Sequence, residues 1–381
     1  MRHYWKDPLT WSAHLGIFVF GIALATLGAI LPTLFETIRL NPSEAGSLFL
    51  LLNFGCLLST VLGGWAFDRS GYRTILVICA VGCSVSLGGL AQASTYPACV
   101  LFSFLLGVGG GGLNVGTNAM VAELYPKQEA AALNRLGMFF GFGAFSIPLV
   151  IGSLLERWGL TAILLAAAGM AAISAFVFLL QTFPAPKHAE GLPFSEVTAL
   201  LRQPFLMVLA FLLFFESGNE MTTGGWLSTF AVDRLGATPA QGAFYLSVFW
   251  GALILGRAAA GALLRLTSPA SVVQAASLLA SLGLMLLVTL GNLKTGFLLS
   301  GLIGFCTAFI FPTVMGQASA RYPAFSGTVI GGLMAVALVG GMLGPWVAGI
   351  VANHASVSAA LLLPLVGFLA VFGLQTLARK L

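Results

Sequence analysis

Two acids, Glu216 and Glu220, are set where a carboxylate has chemical work to do. The other ten of the twelve Asp and Glu residues fall in loops, in a central linker or at the ends of apolar runs, whereas these two lie well inside one. A carboxylate at the centre of a membrane helix costs about 2.5–3.5 kcal/mol on insertion scales, so it is rarely left facing lipid. Residues four apart share one helix face, roughly 6 Å apart along the axis. Two carboxylates held together in a poorly solvated cavity repel each other, and such a site can load and release a proton near neutral pH. Arg257 is the one basic residue inside an apolar run. Counted from the outer ends of their runs, Glu216 is 16 residues in and Arg257 is 17. Their matched depth leaves a Glu216–Arg257 ion pair open. If it forms, Glu216 is structural and Glu220 is the partner for a proton or a solute hydroxyl.

Recognition of a polar ring needs donors and acceptors for hydroxyls and an aromatic face for the C–H surface. The apolar runs supply Thr26, Asn53, Asn114, Asn118, Asn219 and Gln317, with Trp226 and Phe311 as aromatic candidates. Asn114 and Asn118 repeat the four-residue spacing of the acids. Such amides also serve as interhelical glue, worth about 0.6 kcal/mol each, and a Trp near a span end also suits the interfacial belt. No metal or cofactor is expected. The five cysteines (Cys56, Cys79, Cys83, Cys99 and Cys306) are odd in number and lack ligand spacing, so they read as small apolar residues. The glycine runs Gly109–Gly112, Gly331-Gly332 and Gly340-Gly341 follow no strand, so they read as close-packing surfaces rather than phosphate loops. There is no His-Glu-x-x-His and no Ser/His pair at depth, so an intramembrane enzyme is not expected.

The elements that hold these residues follow from composition. The chain has 381 residues, 58% hydrophobic and 8% charged, with mean hydropathy +0.99. Soluble chains carry about 25% charged residues, so a cytosolic enzyme is excluded. Continuous apolar runs also exclude an outer-membrane barrel. The net charge of +5 has no basic patch with interleaved aromatics, so nucleic acid is not a partner. A helix needs about 20 apolar residues to cross the bilayer core. We place twelve spans at roughly 11–35, 43–66, 73–93, 97–123, 130–155, 160–182, 204–232, 240–264, 270–290, 295–320, 325–352 and 356–378. This predicts an all-α membrane protein with an N-terminal bundle over 1–182, a cytoplasmic linker over 183–203 and a C-terminal bundle over 204–381. The first run is too long for a signal-peptide core. With the N-terminus inside, twelve of the 17 basic residues fall on the cytoplasmic side, four outside, and Arg257 within a span. That bias puts both termini in the cytoplasm of a cell's inner membrane.

The chain also repeats itself. An offset of 197 lays Gly28 on Gly225, Pro42 on Pro239, Gly64 on Gly261, Gly107 on Gly304, Tyr125-Pro126 on Tyr322-Pro323, Gly143 on Gly340 and Pro148 on Pro345. Parallel repeats of six helices are a transporter architecture, with solute held at the midplane.

Residues Gly64-Trp65-Ala66-Phe67-Asp68-Arg69-Ser70-Gly71-Tyr72-Arg73, between spans two and three, resemble the G-x-x-x-D-R-x-G-x-[RK] loop of the major facilitator superfamily. A narrower resemblance runs along the chain. Leu133-Asn134 with Phe139-Phe140-Gly141-Phe142-Gly143 and Pro148, Gly218-Asn219-Glu220 with Trp226, Phe249-Trp250 with Gly256-Arg257, and Phe311-Pro312-Thr313 resemble the fucose permease branch of sugar:proton symporters. The resemblance implies the two-bundle facilitator fold, a cavity lined by spans one, four, seven and ten, and action as a monomer. It also implies that Asp68, Arg69 and Arg73 form a cytoplasmic gate. The chain departs from the proton-coupled members at Leu31-Pro32, which Gly28-Ala29-Ile30 precede instead of an acid. The expected function is alternating-access transport of a monosaccharide-like solute with a proton. Uncoupled facilitation and export of another small solute stay open. A membrane receptor is disfavoured, because only about ten residues precede span one and three follow span twelve.

Overall fold

The computed structural model describes Tyr4 and residues 7–126, 128–183 and 202–381. Every regular element among them is helical. Among the described residues, eleven helices are long and apolar enough to cross a membrane. One of them, Ala131–Leu180, has 50 residues. At about 1.5 Å per residue this is far longer than one bilayer crossing. It breaks at Gly159, whose φ of 74° and ψ of 159° are outside the helical region, so it supplies spans five and six. Twelve crossings result.

Span one is Pro8–Ile38 and span four is Tyr96–Leu124. Spans two and three run through Pro42–Leu90, turning at Gly71 (φ 75°, ψ 159°). The second half places span seven at Pro204–Leu235, eight at Pro239–Leu263, nine at Pro269–Leu290 and ten at Leu293–Arg321. Span eleven is Ser326–His354, and span twelve is Val357–Ala378. Six of the helices that open spans carry Pro in their first two positions, where the missing N–H is an orphan in any case. Two sequence expectations need correction. Spans two and three, and five and six, are joined by single-glycine turns rather than by loops. Span ten is not one rod, but Leu293–Thr307 followed by Ile310–Arg321.

The chain divides into two compact units, Met1–Ala189 and Glu190–Leu381. Most of the expected 183–203 linker lies outside the described residues. In the first unit, span one packs on span five and span two on span four. In the second, span seven packs on span eleven and span eight on span ten. Glycine allows the approach in each pair. A Cβ on Gly107 would stand 1.9 Å from the Leu52 carbonyl oxygen, and one on Gly304 would stand 2.2 Å from that of Phe249. A Cβ on Gly143 or Gly340 would lie 2.0 Å from the Phe18 or Phe214 carbonyl oxygen. Gly107 and Leu52 become Gly304 and Phe249 at the same offset of 197. The direct repeat is therefore a repeat of helix contacts as well as of residues.

Candidate solute and proton site

Span seven carries the acids. Glu216 is fully buried and Glu220 is 8% exposed. Neither carboxylate oxygen of Glu216 has a hydrogen-bond partner. Leaving a charged group so placed costs several kcal/mol. Arg257 of span eight is close enough to act electrostatically on both acids. Neither Glu216 oxygen accepts a hydrogen bond from the Arg257 guanidinium, so the pairing that their matched depth leaves open is not a hydrogen-bonded one. Four more polar groups on span seven are buried without a hydrogen-bond partner, the Asn219 Nδ2 and the hydroxyls of Thr223, Ser228 and Thr229. A Cβ on Gly367 of span twelve would meet Asn219 Oδ1 at 2.0 Å, so the amide lies against that span.

The other candidates divide by how much hydrogen-bonding capacity they keep. Thr26 is buried and donates to the Ile22 carbonyl at 2.6 Å; Asn53 donates to the Phe49 carbonyl at 2.9 Å. Both serve their own helices. Asn118 Nδ2 donates to Asn114 Oδ1 at 2.9 Å and to the Asn114 carbonyl at 2.8 Å. Both amides are half-buried, and Asn114 Nδ2 and Asn118 Oδ1 remain for a ligand. Trp226 is a correction to the aromatic assignment. It is fully buried, and its indole N–H donates to the Pro345 carbonyl of span eleven at 3.0 Å. It is neither an interfacial belt residue nor an exposed ring face. Phe311 is half-buried and keeps that possibility. Gln317 accepts from Gln375 Nε2 of span twelve at 3.1 Å. Gln375, itself buried, was not anticipated from the sequence. The signal was present, as the one amide in the final span.

In the turn between spans two and three, Arg73 donates to the Leu179 carbonyl at the end of span six. The Asp68 side chain lies outside the described residues. Arg69 is exposed, and Tyr72 donates to Glu123 Oε1 at 2.7 Å.

At the same end of the first unit, Tyr4 donates to the Ala132 carbonyl at 3.3 Å and meets His14 Nε2 at 3.2 Å. A phenol has one hydrogen, so this pairing makes His14 Nε2 the donor to the Tyr4 oxygen. Burial pushes the Tyr4 hydroxyl up to about 12, which keeps it a neutral donor. Tyr125 pairs with Thr10 at 2.6 Å, tying the end of span four to the start of span one. Its repeat partner Tyr322 ties span ten to the start of span seven, donating to Gln203 Oε1 at 2.5 Å.

Twelve crossings in two six-helix units, close-packed pairwise and with buried polar groups concentrated on span seven, define a polytopic membrane transporter. The family profile of the Major Facilitator Superfamily matches residues 13–329, and the chain belongs to that family. Its members are transporters and not enzymes. One relative is a "Protein TsgA homolog" of Erwinia tasmaniensis, 23% identical over 93% of this chain and 90% of its own length. Among solved structures, the nucleoside transporter NupG superposes with a TM-score of 0.76 at 15% identity, covering 98% of this chain and 98% of the other. FucP, the fucose:proton symporter of E. coli, superposes in its outward conformation at 0.64 and 19% identity, covering 98% and 99%. These likenesses show a shared fold. Other relatives carry the names of transporters and of efflux pumps.

Proposed function

We propose that this protein imports a monosaccharide-sized polyhydroxylated solute by alternating access, driven by a proton that Glu220 carries with Glu216 as its neighbour. The reading places it in the inner membrane with both termini in the cytoplasm. The observation that carries it is the pair of buried acids one helical turn apart, one of them with no hydrogen-bond partner. A carboxylate there is costly to keep ionised while sealed from water, which suits a site that holds a proton when closed and gives it up when hydrated. Arg257 supplies a nearby positive field for the deprotonated state. The NupG and FucP likenesses support a polyhydroxylated ring as cargo, and the second supports the proton. In each unit the groups with spare capacity are assigned to the solute: Asn114 and Asn118 in the first, Asn219 and Phe311 in the second. Moving one charge across 100 mV supplies about 2.3 kcal/mol, enough for a useful concentration gradient.

The test is solute-triggered proton movement in lightly buffered proteoliposomes, using glucose, galactose and fucose in turn. Alkalinisation of the outer medium on adding one of them, absent in Glu220→Gln, is the expected result. Uptake of labelled sugar with no pH change in either protein would overturn the coupling and leave a facilitator. No movement of any sugar would overturn the cargo and favour export of another solute.

A further inference from the structure

Two residues outside the proposed site bear on Asn219. The first is Gly367 of span twelve, which lies under its amide. A Cβ there would stand 2.0 Å from Asn219 Oδ1, 2.8 Å from its Cγ and 3.0 Å from its Nδ2. The whole head group fits because Gly367 has no side chain. In that notch Asn219 is 4% exposed, and its Nδ2 has no hydrogen-bond partner. A buried donor without an acceptor has given up its hydration for nothing, so this is a costly resting place for an amide.

The second is Thr223, one turn beyond Asn219 on span seven. Residues four apart share a face, and helical side chains lean back over the preceding turn. Thr223 is fully buried, and its hydroxyl has no hydrogen-bond partner. Thr26, Thr117, Thr307 and Thr376 behave otherwise: each donates to the carbonyl four residues back, at 2.6–2.9 Å. For Thr223 that carbonyl belongs to Asn219, and the hydroxyl does not take it.

The duplication isolates what is different. At the offset of 197, Thr223 is the counterpart of Thr26, Asn219 of Ile22 and Gly367 of Met170. The first unit therefore has an apolar side chain, no notch and a threonine satisfied by the Ile22 carbonyl. The second has an amide, a notch that admits it and a threonine with its hydroxyl to spare. The three changes occur together, as the parts of one device would.

We infer that Gly367 and Thr223 are positioning residues that give the Asn219 amide two places. In the first, the amide lies in the Gly367 notch, as the structure has it. In the second, one χ1 step away, Thr223 donates to Asn219 Oδ1, and Nδ2 donates to an oxygen of the solute. The inference rests on the assignment of Asn219 to the solute. It adds what holds the amide back and what aims it.

The test is initial-rate uptake of glucose, galactose and fucose by the full chain in proteoliposomes, with thermal unfolding of the purified protein in parallel. Gly367→Ala evicts the amide from the notch. It should lower KM about threefold or more, because less of the protein is held in a form that cannot bind. Thr223→Val keeps a branched side chain without the donor and should raise KM about threefold to tenfold, while Thr223→Ser should restore it. In an Asn219→Ala background neither substitution should move KM. Gly367→Ala should also lower the unfolding temperature more in wild type than in that background. An unchanged KM in Thr223→Val, or equal effects of either substitution with and without Asn219, would overturn the inference. Should Gly367→Ala not purify, the Thr223 variants decide. Should wild type move none of the three sugars, the cargo reading fails and the solute role of the amide with it. Unfolding then judges the notch by itself, and an equal change in both backgrounds would overturn that too.

Discussion

The two six-helix units are the same frame carrying different chemistry. At the offset of 197, the span-seven acids Glu216 and Glu220 stand where the first unit has Val19 and Ala23, both buried and apolar. Arg257 stands where it has Thr60. The exchange also runs the other way. The first unit's amides Asn53 and Asn114 are replaced in the second by Trp250 and Phe311. The packing glycines and tyrosine ties survive duplication because they hold helices together. The polar groups do not, which is the behaviour of residues answering to cargo rather than to fold. In this account the first unit offers neutral amides and the second handles charge.

The turns differ by the same logic. Gly71 and Gly159 turn the first unit's chain between spans at positive φ. Their counterparts, 197 positions on, are Ser268 and Ser356. Both serines have negative φ and accept from the backbone N–H three residues later, at 3.2 Å and 3.1 Å. One unit makes the turn with a residue free of a Cβ, the other with a helix cap.

Four outcomes break or sharpen this comparison. The largest is shared by both units. Gly143→Val and Gly340→Val each force a side chain onto a backbone carbonyl and should destabilise by about 3 kcal/mol or more, read as loss of folded protein on size-exclusion chromatography. A benign change in one unit alone would break the repeat. Next, Glu220→Gln should lower gradient-driven accumulation at least about tenfold, while Asn114→Ala should raise KM with the accumulation ratio retained. Then Gly71→Ala should cost about 1–3 kcal/mol, because its backbone conformation is open essentially to glycine alone. Ser268→Ala should cost about 1 kcal/mol as a lost cap. Thermal unfolding in detergent ranks the two, and the reverse order would contradict the glycine-turn and serine-cap accounts. The smallest is Trp226→Phe, which removes the indole bond to the Pro345 carbonyl and should cost about 1 kcal/mol without altering KM. A raised KM there would return Trp226 to the solute site.

Most of the fold was legible because membrane spans are written as composition. Twenty apolar residues bounded by Pro or a charge leave little freedom, and the offset of matched Pro, Gly and Tyr exposed the duplication. The single-glycine turns at Gly71 and Gly159 were not legible, since positive φ leaves no mark beyond the glycine itself in a chain with 47 of them. Among site residues, the acids on span seven could be found because each such charge needs a reason. The fate of the neutral groups could not. Thr26 and Asn53 turn back onto their own helices, Gln317 pairs with a Gln375 on a distant span, and Trp226 closes onto Pro345. Those outcomes depend on side-chain direction and tertiary neighbours, which helix register alone does not supply. Counting residues from span ends likewise matched Glu216 to Arg257 in depth but could not give azimuth, and no hydrogen bond joins the two.

The central claim is that charge coupling resides in the second unit and solute affinity is shared with the first. Counterflow and gradient-driven accumulation, measured side by side in proteoliposomes, separate the two. The comparison sets Glu216→Gln/Glu220→Gln against Asn114→Ala/Asn118→Ala. The account predicts that the acid double variant exchanges solute by counterflow yet no longer accumulates it, whereas the amide double variant loses affinity in both assays but still responds to the gradient. Full accumulation by the acid double variant would contradict it.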